Sequence, residues 1–377
     1  MKKLNFELIP LTGVHVGSGE VMSPMEYLVK NGKVLRFSLN KLIAGLNSPE
    51  KNYLLKLIDE SEKDVSLIKK IIKYLHNNVS DNNIEYIVDV DKNFYDIYNK
   101  KLLDIRNQLL INTTYRSRNN FSIVIPGSSI KVAIRTALLN YFPSKRKDEY
   151  MRIIRENRIK KGNLLESIIL RYRNVFDNKY RIDIKKDPLR AFSVKDCTIS
   201  GKKTAVVTKT EIYKKRTNTF QRQSTFYEII AGELLDGDAL GKTQLVIDDD
   251  LLKSKKNNEF FFNERNISFD LIMEACNSFY CDYLIDYEYN KFYRNNLADR
   301  IEYYQLIEKL KEYEDNLTDN NVCLIRLGRF SQVESITFVD EKIRHPSTRY
   351  GYGKTRMLAL YKNKYYPLGW VLLKPVN

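Results

Sequence analysis

Apolar and polar positions alternate with a period of two at the start of the chain: Leu4, Phe6 and Leu8 are separated by Asn5 and Glu7, so residues 3–9 are expected to form a strand. Tyr27-Leu-Val29 and Lys33-Val-Leu-Arg-Phe37 repeat that pattern on either side of Asn31-Gly32, a dipeptide suited to the left-handed backbone of a two-residue hairpin turn. The period then becomes helical from about Leu39 through Leu75. Asparagine-rich punctuation at residues 77–83 and a mixed segment lead to Lys101–Ile111.

The strongest local agreement lies at Ile123-Val-Ile-Pro-Gly-Ser-Ser-Ile-Lys-Val-Ala-Ile-Arg-Thr-Ala-Leu-Leu-Asn-Tyr141. A β-branched run favours extended backbone, Pro126 keeps the residue before it out of the helical region, and Gly127 permits the turn. Ser128 or Ser129 is expected to cap a helix, because a short hydroxyl there accepts from an amide of the first turn. Ile130, Ala133, Ile134, Ala137, Leu138 and Tyr141 follow at helical spacing and form one apolar face, with Lys131 and Arg135 on the other. Free amides, two serines and two cations at a helix start make a natural seat for a phosphate, although an ordinary strand–helix packing unit has the same pattern.

Further along, residues 143–186 are strongly basic. Arg190–Ile199 and Lys203–Tyr213 resume strand character, and Lys214-Lys-Arg-Thr-Asn-Thr-Phe-Gln-Arg-Gln223 forms a basic tip with one aromatic before Phe226–Leu235 and Gln244–Ile247. Such a tip suits a finger that stacks Phe220 on a base while Lys214, Lys215, Arg216 and Arg222 hold phosphates; a plain surface hairpin has the same sequence signature. Residues 260–290 are aromatic and helical, with Leu271, Ile272, Ala275, Phe279 and Leu284 at core spacing. Asp299–Asp319 is a charged amphipathic helix, and Val322–Arg329 is a buried strand ending in a glycine turn. Gly241-Lys-Thr243 and Gly353-Lys-Thr355 mimic the end of a nucleotide-binding loop, but Asp236 and Thr348 stand where its first glycine is required.

A chain of 377 residues, 43% hydrophobic, can bury a large core in two or three packing units. No apolar run reaches the length of a membrane span and the first residues read directly as a strand, so no membrane partner is expected and a cytoplasmic location is. Cys197, Cys276, Cys281 and Cys323 lack paired metal-ligand spacing and are expected as free, buried thiols. The Asp248-Asp-Asp250 trio is read as a turn after a strand rather than an ion site, and neither metal nor cofactor is expected. The net charge of +16 changes the picture most. Cations that neutralise phosphates release condensed counterions, and here they cluster at Arg116–Arg118, Lys145–Arg173, Lys214–Arg222 and Lys342–Arg356, which points to a nucleic acid.

Three segments in order carry a family resemblance: Pro10-Leu-Thr-Gly-Val-His-Val-Gly-Ser-Gly19, Ile125-Pro-Gly-Ser-Ser-Ile-Lys131 with Ala133–Leu139, and Arg326-Leu-Gly328 with Gly351-Tyr-Gly-Lys-Thr-Arg356. They resemble the RAMP proteins, the RNA-binding subunits of CRISPR effector complexes, with Val132 where that family usually has glycine. Within the family the chain is most similar to the terminal subunit of the type III-A (Csm) complex, which caps the 3′ end of the guide. The resemblance implies an α+β fold of two ferredoxin-like (RRM-like) domains, drawn here as residues 1–221 with a helical insertion at about 40–120, and residues 222–377 with a glycine-rich loop. It implies a non-catalytic subunit that grips guide (crRNA) RNA by phosphates and 2′-hydroxyls, touches the repeated backbone subunit and the small helical subunit, and supports guide maturation alongside host nucleases. The RNA contacts expected on this basis are His15, Gly17, Ser18 and Gly19 in the first loop, Arg116 and Arg118, Ser128, Ser129, Lys131 and Arg135, the 214–222 tip, and Arg329, Lys342, Arg344, Arg349, Lys354 and Arg356 in the last loop. RAMPs that cleave target RNA have an aspartate soon after the first loop, where this chain has Glu20 and Glu26 and no Asp before Asp59. The alternative is a metal-independent endoribonuclease with His15 as base, favoured by the near-neutral titration of imidazole. A lone histidine in strand alternation is read here as structural.

Overall fold

The structure, a computed structural model, describes residues 1–104, 108–145, 147–156, 166, 187–199, 205–221, 225–230, 239–254, 267–294, 300–335, 338 and 354–376. Among them, β1 (Lys2–Pro10) becomes the middle strand of an antiparallel sheet, because its alternating Phe6 and Leu8 are buried while Lys3 and Asn5 are exposed. It pairs with β13 (Gly241–Ile247) on one side and β17 (Trp370–Val376) on the other, and β8 (Phe192–Val194) and β14 (Cys323–Arg326) lie outside these.

A second, longer sheet runs β2 (Gly17–Met22), β6 (Ile111–Thr114), β12 (Thr225–Ile230), β10 (Ala205–Lys214), β5 (Ile84–Val90), β4 (Lys33–Phe37) and β3 (Tyr27–Lys30). β11 (Thr219–Phe220) and β15 (Thr355–Tyr361) also pair with β10, and β16 (Lys364–Tyr366) pairs with β15. The β12–β6 and β10–β5 pairs are parallel; the others are antiparallel. The hairpin expected at Asn31-Gly32 forms, with both residues at positive φ of 52° and 70°. Strands from both sides of residue 221 contribute to each sheet. The architecture is α+β, with largely antiparallel sheets and helices interspersed among the strands in sequence.

Helices α1 (Leu39–Gly45), α2 (Ser48–Ser61), α3 (Ile68–Asn77) and α4 (Lys92–Lys101) occupy much of the span expected as an insertion. α1 to α3 close a satellite core on Phe37, with Leu42, Leu54, Leu57, Ile71 and Leu75 buried in it. Asn47 and Glu50 start α2 with a reciprocal capping box of 2.9 and 2.8 Å. The span is not an independent appendage, however. Ile84, Tyr86 and Val88 alternate in β5, and β5 and β6 are strands of the second sheet, so the backbone of this region is paired into the main body.

The stretch with the strongest local signals forms the strand and the helix expected of it. A two-stranded ladder of β7 (Val124–Ile125) with β9 (Cys197–Thr198) leads through Pro126 into α5 (Gly127–Lys145), whose residues at the expected apolar positions are all buried. Gly127 is needed for a close approach: a Cβ there would lie 2.0 Å from the carbonyl oxygen of Val194. α5 packs on β8 and on a helix that begins at Phe269–Cys276 and continues with π-type hydrogen bonding through Asn277–Ile285. Tyr280 donates to the carbonyl of Ala133 at 3.0 Å, and Leu271, Ile272, Ala275, Phe279 and Leu284 are buried as their spacing predicts. Asn277 fixes the wide turn to the sheet, donating to the carbonyls of Leu317 and Val322 and accepting from the amide of Leu324. Gly241 stands inside β13, which disposes of the nucleotide-loop reading of that triplet. All four cysteines are free, with Cys197, Cys276 and Cys323 buried. No helix among the described residues is long and apolar enough to cross a membrane.

Because Ile134 is fully buried between α5 and the sheet, Ile134→Asp is expected to destabilise by more than about 4 kcal/mol and to give insoluble or unfolded protein. Soluble expression and a urea melt read this; a cooperative melt near that of the wild type would contradict the packing.

Candidate nucleic-acid interface

The first and third resembling segments meet in space. Gly328 takes a φ of +80°, and a Cβ on it would fall 2.1 Å from the carbonyl oxygen of His15. That carbonyl accepts from the amide of Arg329 at 3.0 Å, while Gly369 donates to the carbonyl of Gly13 at 2.9 Å and accepts from the amide of Leu327 at 2.7 Å. The glycines let two backbone loops touch.

Beneath this contact the imidazole of His15 is 1% exposed, ringed by Tyr227 and Phe330 at centroid distances of 4.9 and 5.7 Å. Its Nδ1 lies 2.8 Å from the carbonyl oxygen of Glu228, so the proton is assigned to Nδ1. Burial, with a smaller push from Arg329, lowers its pKa to about 4. The side chain is therefore neither a surface RNA contact nor an accessible general base. Gly17 and Gly19 are exposed, and Ser18 is half-buried with its hydroxyl 2.8 Å from that of Thr113.

Beside the loop, β2, β4, β5 and β6 open a cleft of about 600 Å³. Ser18, Arg116 and Arg118, expected from the sequence as RNA contacts, line it together with Glu20, Glu26, Arg36, Glu85, Tyr86, Tyr115 and Phe121, which were not among those contacts. Its floor is organised by Glu228, fully buried, whose carboxylate accepts from Tyr86 Oη at 3.1 Å, from the amide of Thr114 at 3.1 Å and from Arg116 at 3.3 Å. Burial pushes the Glu228 carboxyl above its usual range and Arg116 opposes that push. The Arg116 guanidinium also lies 3.9 Å above the Tyr86 ring. A lone carboxylate in the apolar strand Thr225-Phe-Tyr-Glu-Ile-Ile230 was the signal that could have found this floor, since a buried charge needs a partner.

Several expected phosphate contacts turn out to be internal. The start of α5 is already capped: Gly127 donates to the carboxylate of Asp196 at 2.8 Å, and no serine supplies the cap. Ser128 is exposed and Ser129 half-buried in the first turn. Lys131 donates to the carbonyl of Phe192 at 2.6 Å, and Arg135 donates to Asp187 at 2.6 Å and to Glu166. These two cations bind the helix to its neighbours, because Glu166 and Asp187 bring carboxylates, and β8 a carbonyl, up against the face that spacing alone leaves open.

Arg356, 1% exposed, is likewise internal. It donates to Glu288 at 2.5 Å, lies 3.1 Å from Glu334 and covers the Phe292 ring at 3.5 Å, while Arg326 reaches the same Glu288 at 2.9 and 3.0 Å. Phe220 is not a projecting wedge either: it stacks on Tyr365 with centroids 3.8 Å apart. Lys214, Lys215 and Arg216 do form an exposed tip, closed by Asn218 at φ 52°, and Arg118, Arg329 and Lys354 are exposed. Arg222, Lys342, Arg344 and Arg349 lie outside the described residues. Among the described residues no group of three or more His, Cys, Asp or Glu is arranged to hold a metal ion.

The buried His15 makes stability depend on pH. Its folded pKa is depressed, so the unfolded chain binds the extra proton, and this contribution is complete above about pH 6.5 and lost as pH falls toward 4. Denaturant melts at pH 7 and pH 4.5 should show a steeper loss for wild type than for His15→Asn, which keeps an N–H near Glu228 without the titration, by roughly 2–3 kcal/mol. Parallel loss in both proteins would refute the assignment. For α5, Lys131→Ala with Arg135→Ala is expected to lower stability by roughly 1–3 kcal/mol, since charge-assisted bonds within the fold are removed. An unchanged melting midpoint would mean that those cations are only surface groups.

Comparison with known proteins places this geometry. The model of the RAMP superfamily matches residues 7–331, a span that contains the His15 loop, the start of α5 and the Gly328 turn. The CRISPR system Cms protein Csm5 of Methanocaldococcus jannaschii is 28% identical over 211 residues, covering 55% of this chain and 46% of that protein. The match thus spans about half the length of that curated relative. Among solved structures, a chain of the cryo-EM structure of a Csm–crRNA–target RNA ternary complex of a type III-A CRISPR-Cas system superposes with a TM-score of 0.70 at 20% identity, covering 99% of this chain and 100% of that one. The crystal structure of T. onnurineus Csm5 superposes with a TM-score of 0.57 at 18% identity, over 98% and 100% of the two chains. With a family match across most of its length, the chain belongs to the RAMP superfamily.

Proposed function

We propose that the protein is a non-catalytic RNA-binding subunit of a type III-A CRISPR effector complex, seated at the 3′ end of the guide RNA and supporting its maturation in antiviral defence. The observation that carries this reading is the superposition of 99% of the chain on one subunit of a Csm–crRNA–target RNA complex. The net charge of +16 agrees with a polyanionic partner. Its neighbours in this reading are the repeated backbone subunit and the small helical subunit, with host nucleases trimming the guide and the whole assembly in the cytoplasm.

The grip is assigned to the exposed cations Lys214, Lys215 and Arg216 at the β10–β11 tip, Arg118 at the cleft, and Arg329 and Lys354 near the glycine turn. These are long, hydrated side chains suited to phosphates, which fix position without reading sequence. The rival endoribonuclease would need an accessible imidazole at position 15. Enclosure of His15 by Tyr227 and Phe330 supports the structural reading instead.

The test is a salt titration of labelled guide-length RNA binding to the full chain. Affinity should fall steeply with salt, replacing all three tip cations by alanine should flatten the slope, and the recovered RNA should be intact without added metal. A flat salt response, a preference above roughly 4 kcal/mol over a scrambled RNA, or cleavage that vanishes in His15→Asn would overturn the proposal.

A further inference from the structure

The cleft between β2, β4, β5 and β6 differs in character from the rest of this basic chain. Three carboxylates, Glu20, Glu26 and Glu85, balance three guanidiniums, Arg36, Arg116 and Arg118, on its lining. A groove that tracks phosphates is uniformly basic, and acceptor-only carboxylates repel phosphate oxygens. What carboxylates accept is an N–H donor.

Two of the three acids are already committed: Arg36 lies 2.9 Å from Glu26 and 3.5 Å from Glu85, and Glu26 also accepts from the amide of Ser23 at 3.0 Å. Glu20 is exposed at the rim and has no side-chain partner among the described residues. One wall is a layered π surface, with Arg116 3.9 Å above Tyr86 and Tyr86 5.8 Å from Phe121. Tyr115, 41% exposed, also lines the cleft. The wall is held rigid from below, because Arg116 and Tyr86 both bond the buried Glu228.

Flat aromatic and guanidinium faces with an open carboxylate at the rim match one kind of RNA group, an unstacked base. Among the four bases, guanine presents two adjacent donors, N1–H and the 2-amino group, which one carboxylate can accept together. Adenine, cytosine and uracil each place an acceptor beside their donor, and that acceptor would face the carboxylate. A volume of about 600 Å³ is within the range of small-ligand sites and accommodates a nucleotide. We propose that this cleft takes a single extruded guanine of the bound RNA, read by Glu20 and stacked on the Tyr86–Phe121–Tyr115 wall, with its phosphate toward Arg118. The inference rests on the RNA-binding reading above and adds to it one position at which sequence is read.

The experiment is isothermal titration of the full chain with guanosine, adenosine, cytidine and uridine 5′-monophosphates, beside guide-length RNA. GMP should bind at least tenfold more tightly than the other three. Glu20→Gln should abolish that preference, and Tyr115→Ala should weaken GMP binding severalfold; both side chains are exposed, so the fold survives either change. Equal affinities for all four nucleotides, or a GMP preference that persists in Glu20→Gln, would overturn the guanine assignment. No nucleotide binding with intact binding of long RNA would overturn the pocket and leave the RNA-binding reading standing. Failure of long RNA to bind would defeat that reading and this one together.

Discussion

One buried carboxylate holds much of the molecule in register. Glu228 lies in an apolar strand with no access to water, and each of its demands recruits a different element: Thr114 from β6, Tyr86 from β5, and Arg116 from the segment after β6. Its own backbone carbonyl receives His15 from the first glycine loop. Removing one partner of such a group leaves an uncompensated charge worth about 3–5 kcal/mol, so these contacts are mutually enforcing rather than decorative. The cleft wall and the hydrogen bond that orients the histidine both rest on that one residue.

A second buried network does the same for the other end of the sheets. Glu288 projects from the aromatic helix and is met by Arg326 of β14 and Arg356 of β15, with Glu334 balancing the second arginine. Arg326 also covers the Trp370 ring at 4.7 Å, which ties this network to β17 at the edge of β1. The glycine turn at Gly328 follows directly from β14, so the position of the loop against His15 depends on the ion pairs that hold Arg326 just before it.

These networks divide the cations of the chain into two populations. Arg116, Arg135, Arg326 and Arg356 are consumed in holding carboxylates, and Lys131 in holding a carbonyl. The exposed population lies at the β10–β11 tip, at the cleft rim and beside the glycine turn. Net charge alone does not separate them, because an arginine that anchors a sheet counts the same as one that awaits a phosphate.

The sequence by itself determined the local elements. Alternation at Leu4, Phe6 and Leu8 specified β1, Asn31-Gly32 specified the hairpin, and the apolar stripe from Ile130 to Tyr141 specified α5, because backbone preference and side-chain periodicity act over a few residues. The resembling segments likewise marked where backbones come close. What only the tertiary structure decided is which charged groups pair: Asp187 and Arg135 are 52 residues apart, Arg116 and Glu228 are 112, and Glu288 and Arg356 are 68. Pairing of that kind depends on strand order, and strand order here brings β12 beside β6 and β15 beside β10 from distant parts of the chain. Lys131 and Arg135 therefore read as open from the helix wheel and are closed in the fold, since a helix reports which face a side chain is on but not what packs against that face.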